Sequence, residues 1–385
     1  MNEIRLRLKA LRLEMLKRDL DAWYISGTDP HASEYLPDRW QTRAFISGFT
    51  GSYGIVVVTQ EEAGLWTDTR YFLQAEEQLK GSGIKMYKLR VPDAVSPEEW
   101  LARKLDRGSK VGFDPQTLTV ANYRNLNNSL QKKGIGTVQT PDLFEKIWED
   151  RPEIPKDEIF EPDTKYTGLS RKEKREQVAL KLKGLGADFQ VVTALDELAW
   201  VFNLRGTDIA YNPVFTGYGA IGKNESLLFT DPAKIPAKLR VRLEKERVEL
   251  HEYSAFWEWL KTVKNRTVLI DPYSANFAVW EALHADNSLK KETSVISLLK
   301  AQKNDTELAG FREAMKKDGA ALVEVIFWLK NNIGKKEITE FTVAQKLAEC
   351  RAKQDGFQGE SFPPIVGYKE HGAIVHLNVG PENAL

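Results

Sequence analysis

The sequence predicts an α/β protein: two modules of similar element order in series, followed by the opening of a third, α+β unit. Three observations carry that prediction. A helix, strand, glycine-rich turn and strand near the N-terminus recur in the same order about 165 residues later. Between the copies, Arg151-Pro-Glu-Ile-Pro-Lys-Asp157 combines two prolines with mixed charge and reads as a joint. Beyond residue 300 the pattern changes to two amphipathic helices and one apolar strand, too little to bury both faces of a core. The implied boundaries are 1–155, 156–302 and 303–385.

The first copy opens with a helix over 4–17, in which Leu6, Leu8, Leu11, Leu13 and Leu16 recur at helical spacing. A strand over 22–26 follows, then a polar loop around Asp29 to Asp38. Gly48-Phe-Thr-Gly51-Ser-Tyr-Gly54 leads into a strand over 55–59, and Gly64 to Asp68 forms another before a helix over 71–79. The second copy repeats this with a helix over 172–183, a strand over 189–193, Gly217-Tyr-Gly219, a turn at 223–225 and a strand over 226–231. Each copy then adds a strand and a helix: 111–114 with 119–132, and 267–271 with 275–285. Strands alternating with helices over this length describe three-layer α/β modules. In the third unit Asn304 and Glu307 are spaced as a capping box for a long helix, and Thr339 caps a second. A loop with Gly356 and Gly359 leads to a closing strand that carries His376.

Composition narrows the function classes. Lys plus Arg and Asp plus Glu are 55 each, so no bulk field draws the chain to nucleic acid or to a membrane surface. No run approaches the roughly 18 apolar residues of a membrane span. The N-terminus is a charged amphipathic helix without a secretory apolar core, and Cys350 is the sole cysteine, so a disulfide framework is excluded. The expected setting is cytoplasmic.

Few residues carry chemistry. His371 and His376, five apart on a strand, point to opposite faces and are poorly placed to grip one metal. Asp196, Glu197 and Arg205 read as structural, with Asp196 suited to a helix start and Arg205 organising the turn at Gly206. The Gly48–Gly54 cluster lacks phosphate-loop spacing and enters a strand, so it reads as a backbone turn. Arg70, between a strand and a helix, is placed to reach a ligand carboxylate, a neighbouring subunit or a surface acid. There is no H-E-x-x-H, no paired cysteine and no G-x-S-x-G elbow.

Four stretches carry a family resemblance: Phe45-Ile-Ser-Gly-Phe-Thr-Gly-Ser-Tyr-Gly54, Leu65-Trp-Thr-Asp-Thr-Arg-Tyr-Phe-Leu-Gln-Ala75, Thr193 through Phe215, and Ser361-Phe-Pro-Pro-Ile-Val with Gly372-Ala-Ile-Val-His376. They resemble the three-domain Xaa-Pro aminopeptidases (aminopeptidase P). The resemblance implies two tandem creatinase N-terminal-like α/β domains and the start of a pita-bread α+β catalytic domain. It further implies removal of the residue before a second-position proline from short peptides. In the full-length enzyme two Mn2+ per subunit activate the attacking water, and a homodimer is implied. Of the family's site residues only His376 transfers, as a group that binds substrate or the reaction intermediate, with Arg70 as a second substrate-binding candidate. The family's metal ligands follow the His376 strand. The chain is therefore expected to be truncated within the catalytic domain, to hold no catalytic metal and to be inactive alone. His371 and Leu377 depart from the family's usual Asn and Tyr beside this motif. The alternative reading is a non-catalytic creatinase-like binding or dimerisation scaffold. Creatinase or prolidase activity fits the tandem modules less well.

Overall fold

The computed structural model describes residues 3–377 and 380–385. The first module is a six-stranded sheet of β1 (Ala22–Ile25), β2 (Ile55–Thr59), β3 (Ala63–Thr67), β4 (Lys85–Lys88), β5 (Lys110–Phe113) and β6 (Gly136–Gln139), in the order β4-β3-β2-β1-β5-β6. The second repeats it with β7 (Phe189–Val192), β8 (Tyr218–Gly222), β9 (Ser226–Phe229), β10 (Glu249–His251), β11 (Thr267–Ile270) and β12 (Ser288–Lys291), in the order β10-β9-β8-β7-β11-β12. In each, the central strand pairs antiparallel with one neighbour and parallel with the other, as β1 does with β2 and β5, and β7 with β8 and β11. β1, β3, β7, β8 and β9 are buried along their whole length, as expected of strands covered on both faces by helices.

The repeat extends to individual hydrogen bonds. Asp21 accepts the Lys110 amide at 2.7 Å, and Asp188 accepts the Thr267 amide at 2.7 Å, locking the two parallel central strands in register. Thr67 Oγ1 donates to the Tyr53 carbonyl at 2.7 Å, and Thr230 Oγ1 to the Thr216 carbonyl at 2.8 Å.

Two features depart from the local sequence pattern. The outer strands β4, β6, β10 and β12 were absent from the sequence reading. Their cores are short and polar, as in Lys85-Met-Tyr-Lys88, and only pairing with a finished sheet makes them strands. In the first helix, Glu3–Leu16, the buried stripe is Leu8, Leu11 and Met15, while Leu6, Leu13 and Leu16 face solvent. The apolar spacing was real, but the sheet selects one stripe of it.

The modules meet through equivalent segments. The turn after β5 and the turn after β11 pair with each other: Val120 N–H donates to the Ala275 carbonyl at 3.0 Å and Phe277 N–H to the Leu118 carbonyl at 2.8 Å. Phe277 enters the first module's core and stacks on Tyr123 at 3.6 Å. His31 plugs the same junction. Its Nδ1 lies 2.9 Å from the Thr193 carbonyl, so Nδ1 carries the proton, and Nε2 accepts from the Tyr253 hydroxyl at 3.1 Å. Burial lowers its pKa and keeps it neutral. The joint between the modules is an extended segment: Arg39 donates to the Pro152 carbonyl at 2.9 Å, while the amide of Ile159 donates to the Lys234 carbonyl at 2.7 Å.

The third unit is a helical hairpin. Asn304 completes a capping box with Glu307 at the start of the helix Asp305–Asn332 and also donates to the Thr167 carbonyl at 2.9 Å, tying the helix to the second module. The helix Glu340–Ala352 packs on it through a small core of Ala321, Val325 and Cys350. Phe311, Met315, Val323 and Phe327 are exposed.

Candidate functional site

The predicted closing strand does not form. Residues 361–377 are loop, with a 3-10 turn at Lys369–Ala373 and a further turn at Val375 and His376. A lone apolar segment becomes a strand only when another edge takes its backbone groups, and none of the described residues does so. The segment is instead folded over Glu340. That buried carboxylate accepts the Tyr368 amide at 2.6 Å, His371 Nδ1 at 2.8 Å and the Leu385 amide at 3.0 Å. Burial pushes the Glu340 pKa up, but these donors outweigh it and leave the carboxyl below its ordinary value. His371 is therefore a partner of Glu340.

His376 lies half-buried at a cleft of about 670 Å³ where all three units meet. The first module contributes Tyr71, Ser52 and Arg43, the second Ile209 to Tyr211, and the third Ser361 and Phe362 beside His376. The His376 ring packs against Tyr71 with centroids 5.3 Å apart and planes at 35°. Among the described residues its nitrogens take no hydrogen bond, so both are open to a ligand.

The wall supplied by the first module is built on Arg43. Arg43 is 4% exposed and its guanidinium donates to the carbonyls of Gly27, Gly51 and Gly54, with no carboxylate partner among the described residues. Burial lowers its pKa to about 10. Gly51 is required here for space: a Cβ would sit 2.2 Å from the Phe49 ring and 2.8 Å from that of Tyr71. Positive φ, the expected reason for the glycine cluster, applies only at Gly48.

Arg70 is not among the lining residues of the cleft. Its Nε and Nη2 donate to the two oxygens of Asp68 at 2.9 and 2.8 Å, and its guanidinium lies 5.1 Å from the centre of the Tyr71 ring. The sequence reading missed Tyr71 and Tyr211 as site residues. Tyr211 holds a positive φ of 65°, a strained conformation for a bulky side chain. Its loop is anchored by the buried ion pair of Asp208 and Lys234, with Asp208 also accepting the Thr216 amide at 2.6 Å. A bulky residue with positive φ leaves no mark in sequence. Of the residues read as structural, Glu197 is buried, donor-linked to Ser294 at 2.5 Å, and pushed up to about 7 by desolvation, while Arg205 holds the Ala199 carbonyl at 2.9 Å.

Comparison with known proteins agrees with this architecture along the chain. Residues 7–147 and 150–307 each match a creatinase/prolidase N-terminal domain, and residues 309–385 match metallopeptidase family M24. An Xaa-Pro aminopeptidase of Caenorhabditis elegans is 36% identical over 364 residues, covering 92% of this chain and 59% of that protein. A probable Xaa-Pro aminopeptidase P of Laccaria bicolor is 38% identical over 387 residues, covering 98% and 60%. The crystal structure of X-prolyl aminopeptidase from C. elegans superposes with a TM-score of 0.93 at 32% identity over 99% of this chain and 65% of that one.

The chain belongs to the creatinase/M24 metallopeptidase family.

It spans about three-fifths of the length of the curated relatives it matches. The family member from C. elegans is described as a cytosolic enzyme with a di-nuclear active site. Among the described residues no group of three His, Cys, Asp or Glu side chains converges, and His371 is already held by Glu340. Among the described residues this donor set does not fit a metal pair. No described helix is long and apolar enough to cross a membrane.

Proposed function

We propose that this protein is an Xaa-Pro aminopeptidase, releasing the N-terminal residue from short peptides with proline in second position. In this reading the protein is cytoplasmic, homodimeric and dependent on two Mn2+ per subunit. The described residues supply the binding end of the site, with His376 as the group that hydrogen-bonds substrate. One observation carries the proposal. An imidazole whose nitrogens take no hydrogen bond among the described residues lines a cleft built from all three units, in a chain 36% identical over 364 residues to an Xaa-Pro aminopeptidase.

The test is turnover of Arg-Pro-Pro by the protein expressed from its natural reading frame with Mn2+ present, following free arginine by chromatography. Release of arginine from Arg-Pro-Pro with Arg-Ala-Ala left intact is expected, and equal cleavage of both, or of neither, rejects the reading. Residues 1–385 alone are expected to release nothing and to retain no stoichiometric manganese after dialysis. An inert natural protein would favour the scaffold reading.

A further inference from the structure

We propose that Tyr71 of the first module is a positioning residue that sets the orientation of the His376 imidazole within the same chain. The proposal deepens the reading above and rests on His376 binding substrate.

The two rings differ in how firmly they are held. Tyr71 is 2% exposed and has three named neighbours. Its hydroxyl pairs with Ser52 Oγ at 2.6 Å, the Phe49 ring meets it edge-on at 5.8 Å and 87°, and the Arg70 guanidinium sits 5.1 Å from its centre. Arg70 is in turn fixed by both oxygens of Asp68, which is 1% exposed. Gly51 leaves the space the ring occupies. His376 has none of this. It lies in a stretch without helix or strand, and among the described residues its one ring contact is Tyr71. A loop imidazole with two rotatable side-chain bonds needs a surface to define its plane, and an aromatic contact supplies one without occupying either nitrogen. A hydrogen-bonding partner would have fixed the ring at the cost of a nitrogen that the substrate needs. Arg70 thus acts on the cleft indirectly, through Asp68 and the face of Tyr71.

The experiment uses the 385-residue chain and the natural protein, because the two readouts fail separately. In the chain, with histidine and tyrosine selectively labelled, an NOE between the Tyr71 and His376 rings is expected. Y71L should move the His376 imidazole resonances and broaden them, and Y71F should leave them closer to the parent. In the natural protein Y71L should lower kcat/KM for Arg-Pro-Pro about ten-fold, as a displaced binding group does, with Y71F recovering most of the loss. Absence of the NOE in the unsubstituted chain overturns the proposal without any variant having to fold. Unchanged His376 signals in a folded Y71L protein overturn it as well. If the NOE and the shifts appear but H376A leaves turnover intact, it is the substrate-binding role of His376 that fails, and the ring contact stands.

Discussion

The two modules share a sheet order and even single hydrogen bonds, yet they diverge in the turn that follows their third strand. In the first, Thr67-Asp68 is followed by Thr69-Arg70-Tyr71, and Asp68 binds the Arg70 guanidinium while Tyr71 opens a helix and meets His376. In the second, Thr230-Asp231 is followed by Pro232-Ala233-Lys234. There Asp231 accepts the Ala233 amide at 2.8 Å, and Lys234 turns inward to Asp208. Both threonines do the same backbone work, so the scaffold tolerates either turn. The first turn presents an aromatic ring to a neighbouring unit; the second tightens its own core and steadies the Tyr211 loop. A duplicated fold therefore does not duplicate a site, because chemistry depends on which turn faces the third unit.

The strongest way to break this contrast is to remove the inward cation. Lys234→Met leaves Asp208 buried without its partner, and such losses cost about 3–5 kcal/mol. Urea unfolding followed by hydrogen exchange should show the second module opening first. Arg70→Ala leaves the buried Asp68 carboxylate with the amide of residue 70 and with Arg90 at 3.6 Å, so it should cost less than Lys234→Met. Equal costs would mean the two turns play the same part.

A second contrast is set by pH. Desolvation raises the Glu197 pKa from 4.5 to about 7, so the folded state binds this proton more tightly than the unfolded one. Its contribution to stability is present in full below pH 4.5 and disappears as the pH rises through about 7, a change on the order of 3 kcal/mol. Glu197→Gln should flatten the stability profile across that window, as measured by urea midpoints from pH 4.5 to 8. A profile as steep as the parent's would show that another group titrates there. A smaller effect is expected at the join to the third unit: Asn304→Ala should cost about 1 kcal/mol through its cap. Proteolysis near residue 303 should increase with it.

Much of the fold was legible beforehand, for physical reasons that can be named. Val56, Val57 and Val58, or Val191 and Val192, are apolar on both faces, so their strands announce themselves. Ser, Thr and Asn caps such as Thr119, Asn304 and Thr339 mark helix starts because the side chain itself makes the bond. The outer strands had no such signal. Ser288-Leu-Lys-Lys291 is a strand only because β11 offers it an edge.

The site was legible in part. His376 could be picked out by its motif, but the residues around it could not, since Ser52, Tyr71 and Tyr211 come to the same cleft from positions far apart in the chain. Arg70 drew attention as a charge next to a helix, and the charge is answered locally by Asp68.

By itself the sequence determined the repeated α/β modules, the joint, the capped hairpin and the balance of charge, because each depends on groups within a few residues of one another. Only the tertiary structure decided which copy's turn faces the cleft, that Glu340 gathers the last loop, and that Tyr71 lies under His376. Those are contacts between surfaces that exist only after each unit has folded, and no local preference encodes them.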